Sequence, residues 1–323
     1  MLLSICHLKP KGNFHFGTKE GWLEGTELFA HSDTLFSAIC HNLLLLYGKS
    51  YLEEFLNNSA GNNNSINISS LFPSINEKLY FPVPKNQFPE DSDYRKINFI
   101  EFSIMKRCLN GEDLEVIINS GNKDYLTREQ ERKYWSSSIT PRVSISNYTG
   151  TVSAESGGYF QFGQVQYDKE IGLFFLYKAN GSLNEDKFKA AIRLLADEGL
   201  GGDRSVGKGF FEEPSFGSVD FPDIDNSDAY AILSLYHPVN LPIKYEDVDR
   251  SYYDIILRKG YMFSPYSQNL PRNAVRMFSE GSIFPQENFD FGKLVDVTPD
   301  GFNLHRVFRN GKALALPCKL EVK

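Results

Sequence analysis

The sequence predicts an α+β fold, and three observations support that prediction. Apolar residues make up 41% of the 323 positions, enough to fill the cores of about two domains. Strand-like runs are interleaved with two stretches in which apolar residues recur every three or four positions, the spacing of one helix face. Up to residue 219 these segments follow the order β-α-β-β-α-β once a long insertion is set aside. That order is the ferredoxin-like arrangement, which RNA-recognition folds also use.

The first strand and the first helix are the clearest elements of the N-terminal half. Leu2–His7 mixes apolar and β-favouring residues, which is typical of a strand. Apolar residues then line one helix face between Leu35 and Tyr47. Ser32 or Asp33 is the predicted N-cap of this helix, and Gly48 suits the left-handed backbone at which helices often stop.

The middle of the chain is predicted to be an irregular insertion that spans about residues 49–157. Its Asn57–Ser70 segment is rich in asparagine and serine, so we expect an exposed loop there. Regular structure returns with strand-like runs at Tyr159–Tyr167 and Ile171–Lys178. A short polar turn between the two runs indicates a hairpin.

A second helix and a last strand complete the predicted N-terminal domain, residues 1–219. The helix runs from Asn184 to Glu198 with one apolar stripe, and Phe210–Val219 is the strand. Residues 220–228 are acidic and form the predicted linker. Residues 229–323 are strand-rich with frequent turn residues, and we expect them to form a C-terminal domain of similar, RRM-like fold.

The charges are distributed unevenly. The formal net charge of −7 argues against a nucleic-acid partner at first sight. However, Glu213–Asp249 contains eight acids and one base, which accounts for the whole net charge, whereas Arg250–Lys312 contains nine bases and six acids. This asymmetry allows a basic face on an acidic protein, with an ordinary solvated surface as the alternative.

The cysteines and the apolar runs indicate the compartment and the absence of cofactors. The four cysteines are too far apart in the sequence for a CxxC pair, so we expect neither a zinc site nor a redox pair. No secretion signal is recognisable, and no apolar run is long enough to span a membrane. We therefore expect a cytoplasmic protein that uses no metal ion and no cofactor.

A glycine-rich loop follows the second helix, with the sequence GLGGDRSVGKG from Gly199 to Gly209. A nucleotide-binding P-loop fits the glycine spacing, but Gly209 replaces the hydroxyl residue that would bind Mg²⁺, and the loop follows a helix instead of a strand. A purely structural turn would need fewer glycines. The best-fitting interpretation is a backbone-lined cradle for RNA phosphates. Its predicted RNA-binding residues are Gly199, Gly201, Gly202, Arg204, Ser205, Gly207, Lys208 and Gly209.

Four stretches taken together resemble a known family. A helix followed by GLGGDRSVGKGFF is similar to the glycine-rich signature of the CRISPR-associated RAMP superfamily. The other three stretches are HSDTLFSAICHNL at 31–43, TPRVSISNYTG at 140–150 and PRNAVRMFSEGSIF at 271–284. They resemble the RAMP subunits of type III-A CRISPR Csm complexes that cap the 5′ end of CRISPR RNA (crRNA).

The resemblance implies a non-catalytic RNA-binding subunit that acts in antiviral defence. Its implied ligands are the repeat-derived 5′ tag of crRNA and the guide–target RNA duplex near that tag. Its implied protein partners are the large polymerase-domain subunit and a backbone RAMP subunit. In the family a β-hairpin thumb presses into the duplex, and we expect it here within about residues 80–135.

His31 and Ser32 are candidate residues at the start of the first helix. The amides of a helix N-terminus favour a phosphate, so both residues are predicted to contact RNA, with a plain N-cap as the alternative. RAMP endonucleases that process crRNA use an N-terminal histidine as general acid or base. The alternative function is therefore such a nuclease, with His31 in that role.

The remaining candidates are Arg142 and several residues of the C-terminal half. Arg258–Tyr261 and Pro271–Arg276 mix basic, aromatic and turn residues, a composition that suits stacking of unpaired bases. Arg142 either contacts RNA or pairs with an acid, and the resemblance favours RNA. The predicted contacts in the C-terminal half are Tyr266, Arg272 and Arg276.

Overall fold

A computed structural model describes residues 1–19, 22–61, 66–88, 93–145, 149–152, 158–179, 181, 183–240, 250–264, 266 and 270–322. Within these ranges helices and strands are mixed, which confirms the α+β class. The helices are α1 (Ser32–Ala60), α2 (Phe102–Leu109), α3 (Leu114–Asn119), α4 (Arg128–Glu131) and α5 (Glu185–Glu198). The strands are β1 (Leu2–Leu8), β2 (Pro10–Lys11), β3 (Phe16–Lys19), β4 (Trp22–Glu27), β5 (Ile66–Ile68), β6 (Phe72–Ile75), β7 (Lys78–Pro82), β8 (Ile97–Glu101), β9 (Tyr125–Thr127), β10 (Trp135–Val143), β11 (Tyr159–Tyr167), β12 (Ile171–Ala179), β13 (Phe210–Phe211), β14 (Ser215–Asp220), β15 (Ala229–Ile232), β16 (Ile255–Arg258), β17 (Val275–Phe278), β18 (Ile283–Pro285), β19 (Leu294–Asp296), β20 (Phe308–Asn310) and β21 (Ala315–Cys318).

The central element is an eight-stranded sheet in the order β14-β1-β12-β6-β7-β8-β9, with β5 also paired to β12. Strand β1 is antiparallel to both β12 and β14, and β12 is antiparallel to β5 and β6. Helix α1 lies between β1 and β5 in the chain, and α5 lies between β12 and β14. The two long helices therefore occupy the two crossovers predicted for the N-terminal unit.

Both faces of this sheet are covered by apolar side chains. On β12, Leu173, Phe175 and Tyr177 face a core shared with α1 and α5. Phe174 and Leu176 face a second core, which also contains residues of α2, α3, β15 and β21. A strand buried on both faces has no polar alternation, which explains the continuous apolar run of β12.

The predicted position of the insertion is wrong. Helix α1 does not stop at Gly48 but continues to Ala60, and the positive φ of 78° at Gly48 produces a kink. The next described residues form β5, whose Ile66 and Ile68 are buried beside β12, so the second half of the expected exposed loop is a core strand. The insertion therefore separates the second and third strands of the unit, not the first helix and the second strand.

The predicted hairpin of β11 with β12 is also wrong. Strand β11 pairs with β10 in a long two-stranded ribbon, from Trp135 opposite Tyr167 to Val143 opposite Tyr159. The reason is burial, because side chains of β11 alternate between exposed and covered positions, whereas those of β12 are covered on both faces. A half-exposed strand suits a ribbon, and a fully buried one suits the centre of a sheet.

The C-terminal half consists of strands in its described residues. Strand β15 lies between β18 and β21, while β16 pairs with β17 and β19 pairs with β20. Among the described residues from 229 to 322 there is no helix, so the RRM-like character of this half stays a prediction. The predicted linker is anchored, because Phe221 packs on Phe81 and Phe102 with ring centroids 5.7 and 4.9 Å apart. None of the described helices has an apolar stretch that could cross a lipid bilayer.

Lys312 ties the C-terminal half to the end of α1. Its side chain is 2% exposed, and its Nζ donates to the carbonyls of Ser59 at 2.9 Å and Gly61 at 2.8 Å. Because Lys312→Met removes both hydrogen bonds and leaves the buried Ser59 carbonyl unpaired, we expect the free energy of unfolding to fall by about 1–3 kcal/mol. Urea denaturation measures this loss. The exposed Lys49, replaced by Met, is the control and should change stability by less than about 1 kcal/mol; equal losses would contradict the assigned role.

Candidate nucleic-acid interface

A groove with a volume of about 1400 Å³ runs between the two halves of the chain. One wall is formed by α1 and the glycine loop Gly199–Gly209, and the other by residues 258–266 and 304–309. Seven lysine and arginine residues line it against two glutamates. We call this feature the basic groove. Its charge is opposite to the net charge of the chain, as the asymmetry of the sequence allows.

A buried charge cluster forms the floor of the basic groove. The Asp33 carboxylate is fully buried and accepts hydrogen bonds from Arg258 Nε at 3.1 Å and Nη2 at 3.0 Å, and a further one from Arg309 Nη1. Burial opposes the charged carboxylate, but the two arginines outweigh it and hold the pKa of Asp33 well below its usual range. The start of α1 is thereby fixed to β16 and β20.

His31 lies beside this cluster with both ring nitrogens occupied. Nδ1 is 2.7 Å from Glu280 Oε1, and Nε2 is 3.0 Å from Glu27 Oε2. Burial alone would lower the pKa of His31, but the two carboxylates raise it to about 10. The imidazole is therefore a permanent cation at neutral pH, which is a poor general acid or base. His31 does line the basic groove, as a predicted RNA contact should.

Ser32 is not where the sequence analysis placed it. The N-cap of α1 is His31, and Ser32 is the first helical residue, fully buried. The Ser32 hydroxyl accepts the amide of Leu235 at 3.0 Å, and the Ser32 amide donates to Ser70 Oγ at 2.8 Å. This end of the helix packs against the C-terminal half, so neither a Ser32 side-chain cap nor contact of Ser32 with RNA is possible here.

The glycines of the loop are required by close packing within the protein. A Cβ on Gly201 would lie 2.4 Å from the His15 carbonyl oxygen, and one on Gly209 would lie 2.4 Å from the Leu200 carbonyl oxygen. Gly202 has similarly little room beside the His15 ring. Gly199, Gly201, Gly207 and Gly209 also have positive φ. The alternative interpretation of a purely structural turn, which the number of glycines disfavoured, is therefore correct for much of the loop.

Most loop amides are satisfied inside the protein. Gly202 donates to the His15 carbonyl and Gly209 to the Asn13 carbonyl, both at 2.9 Å. The amides of Gly199, Leu200, Val206, Gly207 and Lys208 donate to carbonyls as well. These groups cannot at the same time bind phosphates. The predicted cradle of backbone amides is thus wrong for these residues, although Gly199, Gly201 and Gly202 do line the basic groove.

Lys208 and Arg142 form an internal cluster with Asp203. Arg142 Nη1 is 2.5 Å from Asp203 Oδ2, and Lys208 Nζ is 3.7 Å from the same oxygen. Both cations also lie over the Phe162 ring, at 4.5 and 4.6 Å from its centroid. Lys208 is buried, and burial lowers its pKa. The predicted RNA contact is therefore wrong for Lys208, whose ammonium faces the interior. Arg142 forms the alternative given for it, an ion pair with an acid, and its contact with RNA stays a prediction.

Arg204 and Tyr266, which the sequence analysis predicted to contact RNA, line the basic groove. The Arg204 guanidinium lies over the ring of Phe263 at 4.8 Å, and the His41 ring meets Phe263 edge-on at 4.8 Å. Phe263 and Tyr266 nevertheless remain 70% and 68% exposed. Large aromatic faces held open beside cations are suited to stacking with unpaired bases.

Of the remaining predicted RNA contacts, some line the basic groove and others do not. Arg272 lines the basic groove. Arg276 is exposed on β17, while Ser205 and Gly207 are exposed on the outer side of the glycine loop, and none of these three is among the residues that line the groove. Asp33, Arg309 and Phe263 were missed. Phe263 lies between the two basic–aromatic stretches noted in the sequence, whereas Asp33 and Arg309 are 276 positions apart and give no local signal.

In the described part of the chain no group of three or more His, Cys, Asp or Glu residues is arranged to hold a metal ion. All four cysteines are free thiols. Burial raises the pKa of the Cys108 thiol to about 12.

Comparisons with known proteins agree with the sequence resemblance. Residues 225–318 match the family model of the CRISPR Csm4 C-terminal domain. A protein of Methanocaldococcus jannaschii, described as CRISPR system Cms protein Csm4, is 28% identical, with 98% of this chain and 97% of the relative covered. A protein of Thermococcus onnurineus with the same description is 26% identical, with 78% and 80% covered.

Two solved structures share the fold over nearly the whole chain. One is the Csm3–Csm4 subcomplex of a type III-A CRISPR–Cas interference complex, with a TM-score of 0.65, 23% identity and coverage of 97% and 99%. The other is a Csm1–Csm4 cassette in complex with cA4, with a TM-score of 0.62, 19% identity and full coverage of both chains.

These findings first indicate the class to which the chain is similar, the subunits of CRISPR Csm complexes. Within that class the resemblance found in the sequence is confirmed. The chain is similar to Csm4 proteins over nearly its whole length, and its residues 225–318 match the Csm4 C-terminal domain.

Alanine substitutions at two glycines of the loop distinguish the effect of close packing from the effect of backbone strain. A Cβ on Gly207 would meet no atom within 4 Å, so Gly207→Ala has only the strain of a positive φ. We expect it to lower the free energy of unfolding by about 1–2 kcal/mol. Gly201→Ala has a positive φ and also a clash with a backbone carbonyl, so we expect a clearly larger loss of stability in urea denaturation. Equal losses would show that the space around Gly201 is not filled as described.

The charged state of His31 should be visible as a pH dependence. A pKa raised in the folded state stabilises the protein below the unfolded pKa of about 6.5, and this stabilisation is lost as the pH rises towards 10. Between pH 7 and 10 we therefore expect the free energy of unfolding to fall more steeply for the unchanged protein than for His31→Gln. His305→Gln is the control, because that ring contacts a hydroxyl and a carbonyl instead of two carboxylates. Parallel pH profiles for His31→Gln and the unchanged chain would overturn the assignment.

Proposed function

We propose that this chain is a non-catalytic RNA-binding subunit of a cytoplasmic type III-A Csm effector complex in antiviral defence. In this proposal it grips the repeat-derived 5′ tag of crRNA and bridges the large polymerase-domain subunit to the backbone RAMP subunits. The observation that carries the proposal is the basic groove with its exposed Phe263 and Tyr266. Positive charge attracts the phosphates of a single strand, and aromatic faces hold its bases.

The partner assignment is supported by the solved relatives. Csm4 chains of the same fold have been determined in complex with Csm3 and with Csm1. We propose that the corresponding subunits bind this chain. The finer description of the fold, two ferredoxin-like RAMP units divided at the acidic linker, belongs to the same proposal and is supported for the first unit by its order of strands and helices.

The ribbon β10–β11 is our proposed thumb. Residues 80–135 supply β7 to β9 and α2 to α4 in their described part, and these elements extend the sheet and its core. The ribbon begins at Trp135 and keeps Ile139, Val143 and Tyr159 exposed towards its far end. Exposed apolar side chains on a long hairpin fit the role that the resemblance implies, contact with the guide–target duplex near the tag.

The non-catalytic part of the proposal is supported by the contacts of His31. Two carboxylates occupy its ring nitrogens, and the pKa of about 10 keeps the ring protonated. The nuclease alternative requires that the isolated chain cleave repeat RNA and that His31→Ala abolish the cleavage. We expect intact RNA in both samples on a denaturing gel, and His31-dependent cleavage would replace the proposal by that alternative.

The binding test uses groove cations that the structure leaves accessible. Arg204→Ala with Lys259→Ala removes two of them, whereas Lys208 is unsuitable because it is buried. We expect weaker binding of single-stranded tag RNA and a slope of log affinity against log salt that is smaller by about 1.4, because two fewer cations release counterions from the strand. Fluorescence anisotropy at several salt concentrations measures both quantities.

The matched control removes two exposed cations that do not line the groove, Arg276 and Lys169. It should leave affinity and slope near those of the unchanged chain, and an equal loss would place binding outside the groove. Sequencing the RNA that co-purifies with the complex tests the ligand itself. A common repeat-derived 5′ end is expected, and RNA without one would refute the tag assignment.

A further inference from the structure

Arg272 has an unusual environment at the floor of the basic groove. Its guanidinium forms no hydrogen bond and no ion pair with any described residue, and its Nε is buried without a partner. Burial, and then the neighbouring Arg309, lowers the pKa of Arg272 to about 10. An arginine in water is not perturbed in this way, because the solvent satisfies its five donors.

The neighbouring cations show that the lack of a partner is specific to Arg272. Arg258 and Arg309 share the carboxylate of Asp33, and Arg258 also lies 3.4 Å from Glu27. Glu27 and Glu280 are engaged by the charged ring of His31. In this cluster four cations face three carboxylates, and the excess charge belongs to Arg272. A partly buried cation without a counter-charge destabilises a folded protein unless an anion binds there.

The backbone around Arg272 is fixed and leaves space in front of the guanidinium. The Arg272 amide donates to the Gly260 carbonyl at 2.9 Å, next to the bridge between Tyr261 and Pro271. A Cβ built on Gly260 would lie 3.8 Å from Arg272 Nη2 and 4.0 Å from Arg309 Nη2, so the absence of a side chain keeps this point open. The exposed Lys259 supplies a further cation at the same wall.

We propose that Arg272 is the anchor for one phosphate group of the bound nucleic acid, which it holds through its two Nη groups. This inference rests on the proposed function and adds to it a particular subsite. A planar guanidinium matches two phosphate oxygens at once, and such charge-assisted pairs are the strongest hydrogen bonds available to a protein. The phosphate belongs either to an internal phosphodiester or to a 5′-terminal phosphate.

The first test measures thermal stability with and without inorganic phosphate, against sodium chloride at equal ionic strength. Phosphate should raise the Tm of the unchanged chain, because a ligand that binds only the folded state stabilises it. Arg272→Met should lose this increase, and without phosphate it should be at least as stable as the unchanged chain, because the unpaired cation is gone. Arg276→Met, an exposed arginine four residues further on, should behave like the unchanged chain.

Two outcomes of this test would overturn the inference. If Arg272→Met unfolds at a clearly lower Tm without phosphate, the side chain has a structural role instead. If phosphate raises the Tm of Arg272→Met as much as that of the unchanged chain, the anion binds elsewhere. Arg272→Lys separates charge from geometry, and we expect it to keep only part of the increase.

The second test uses tag-sequence RNA oligonucleotides with a 5′-hydroxyl or a 5′-phosphate. Arg272→Met should weaken binding by about 10- to 100-fold, the effect of losing hydrogen bonds to a charged group. Equal weakening for both oligonucleotides identifies an internal phosphodiester, and weakening only with the 5′-phosphate identifies the terminal group. If neither binding is weakened while Arg204→Ala with Lys259→Ala still reduces it, the Arg272 subsite is wrong and the proposed function stands. If the unchanged chain binds neither RNA, the proposed function itself fails.

Discussion

The contact of Asp33 with Arg258 and Arg309 is the interaction on which the groove depends. It joins the first turn of α1 to strands β16 and β20, which belong to the other half of the chain. Asp33 and Arg309 are almost completely shielded from water. Removal of one partner from such a buried pair leaves a charge without compensation, typically at a cost of about 3–5 kcal/mol. The pair therefore holds the two walls at a fixed distance, and the groove exists before any ligand binds.

The same arrangement divides the cations of the chain into two groups. Arg142, Arg258 and Arg309 are neutralised by buried or half-buried acids and maintain the architecture. Lys259 and Arg272 line the groove without a carboxylate within ion-pair distance among the described residues, and they are available to a ligand. Sequence composition cannot distinguish these groups, because it does not show whether an arginine is paired with an acid in the folded protein.

The sequence was sufficient for elements with a strong local pattern. The strand β1, the helix α5 and the apolar face of the first half of α1 were predicted from the spacing of their apolar residues. The assignment failed at β5, because a three-residue strand after an asparagine-rich stretch has too few positions to show a period. It also failed for β11, since the alternation that identifies a strand does not identify its partner. For both strands, pairing depends on burial against distant residues.

The glycine loop shows, for single residues, that the sequence does not reveal contacts with distant parts of the chain. Five glycines in eleven positions correctly indicated a backbone that side chains would obstruct. The sequence could not show what occupies the space, which proved to be the His15 and Leu200 carbonyls instead of a ligand. Likewise, a lysine in this loop suggested a phosphate contact, but Lys208 turns inwards to Asp203 and Phe162.

An acidic chain with a basic groove is electrostatically consistent. At ionic strengths near 0.1 M, charges more than about 10 Å apart are largely screened, so the residues that line a groove determine its attraction for a polyanion. Acids such as Asp220 and Asp223 contact the N-terminal ammonium and do not line the groove. The net charge of −7 then governs solubility and long-range repulsion, while affinity depends on a few local cations. Because those cations lie on both walls, a strand bound between them adds contacts across the same boundary that Asp33 already bridges.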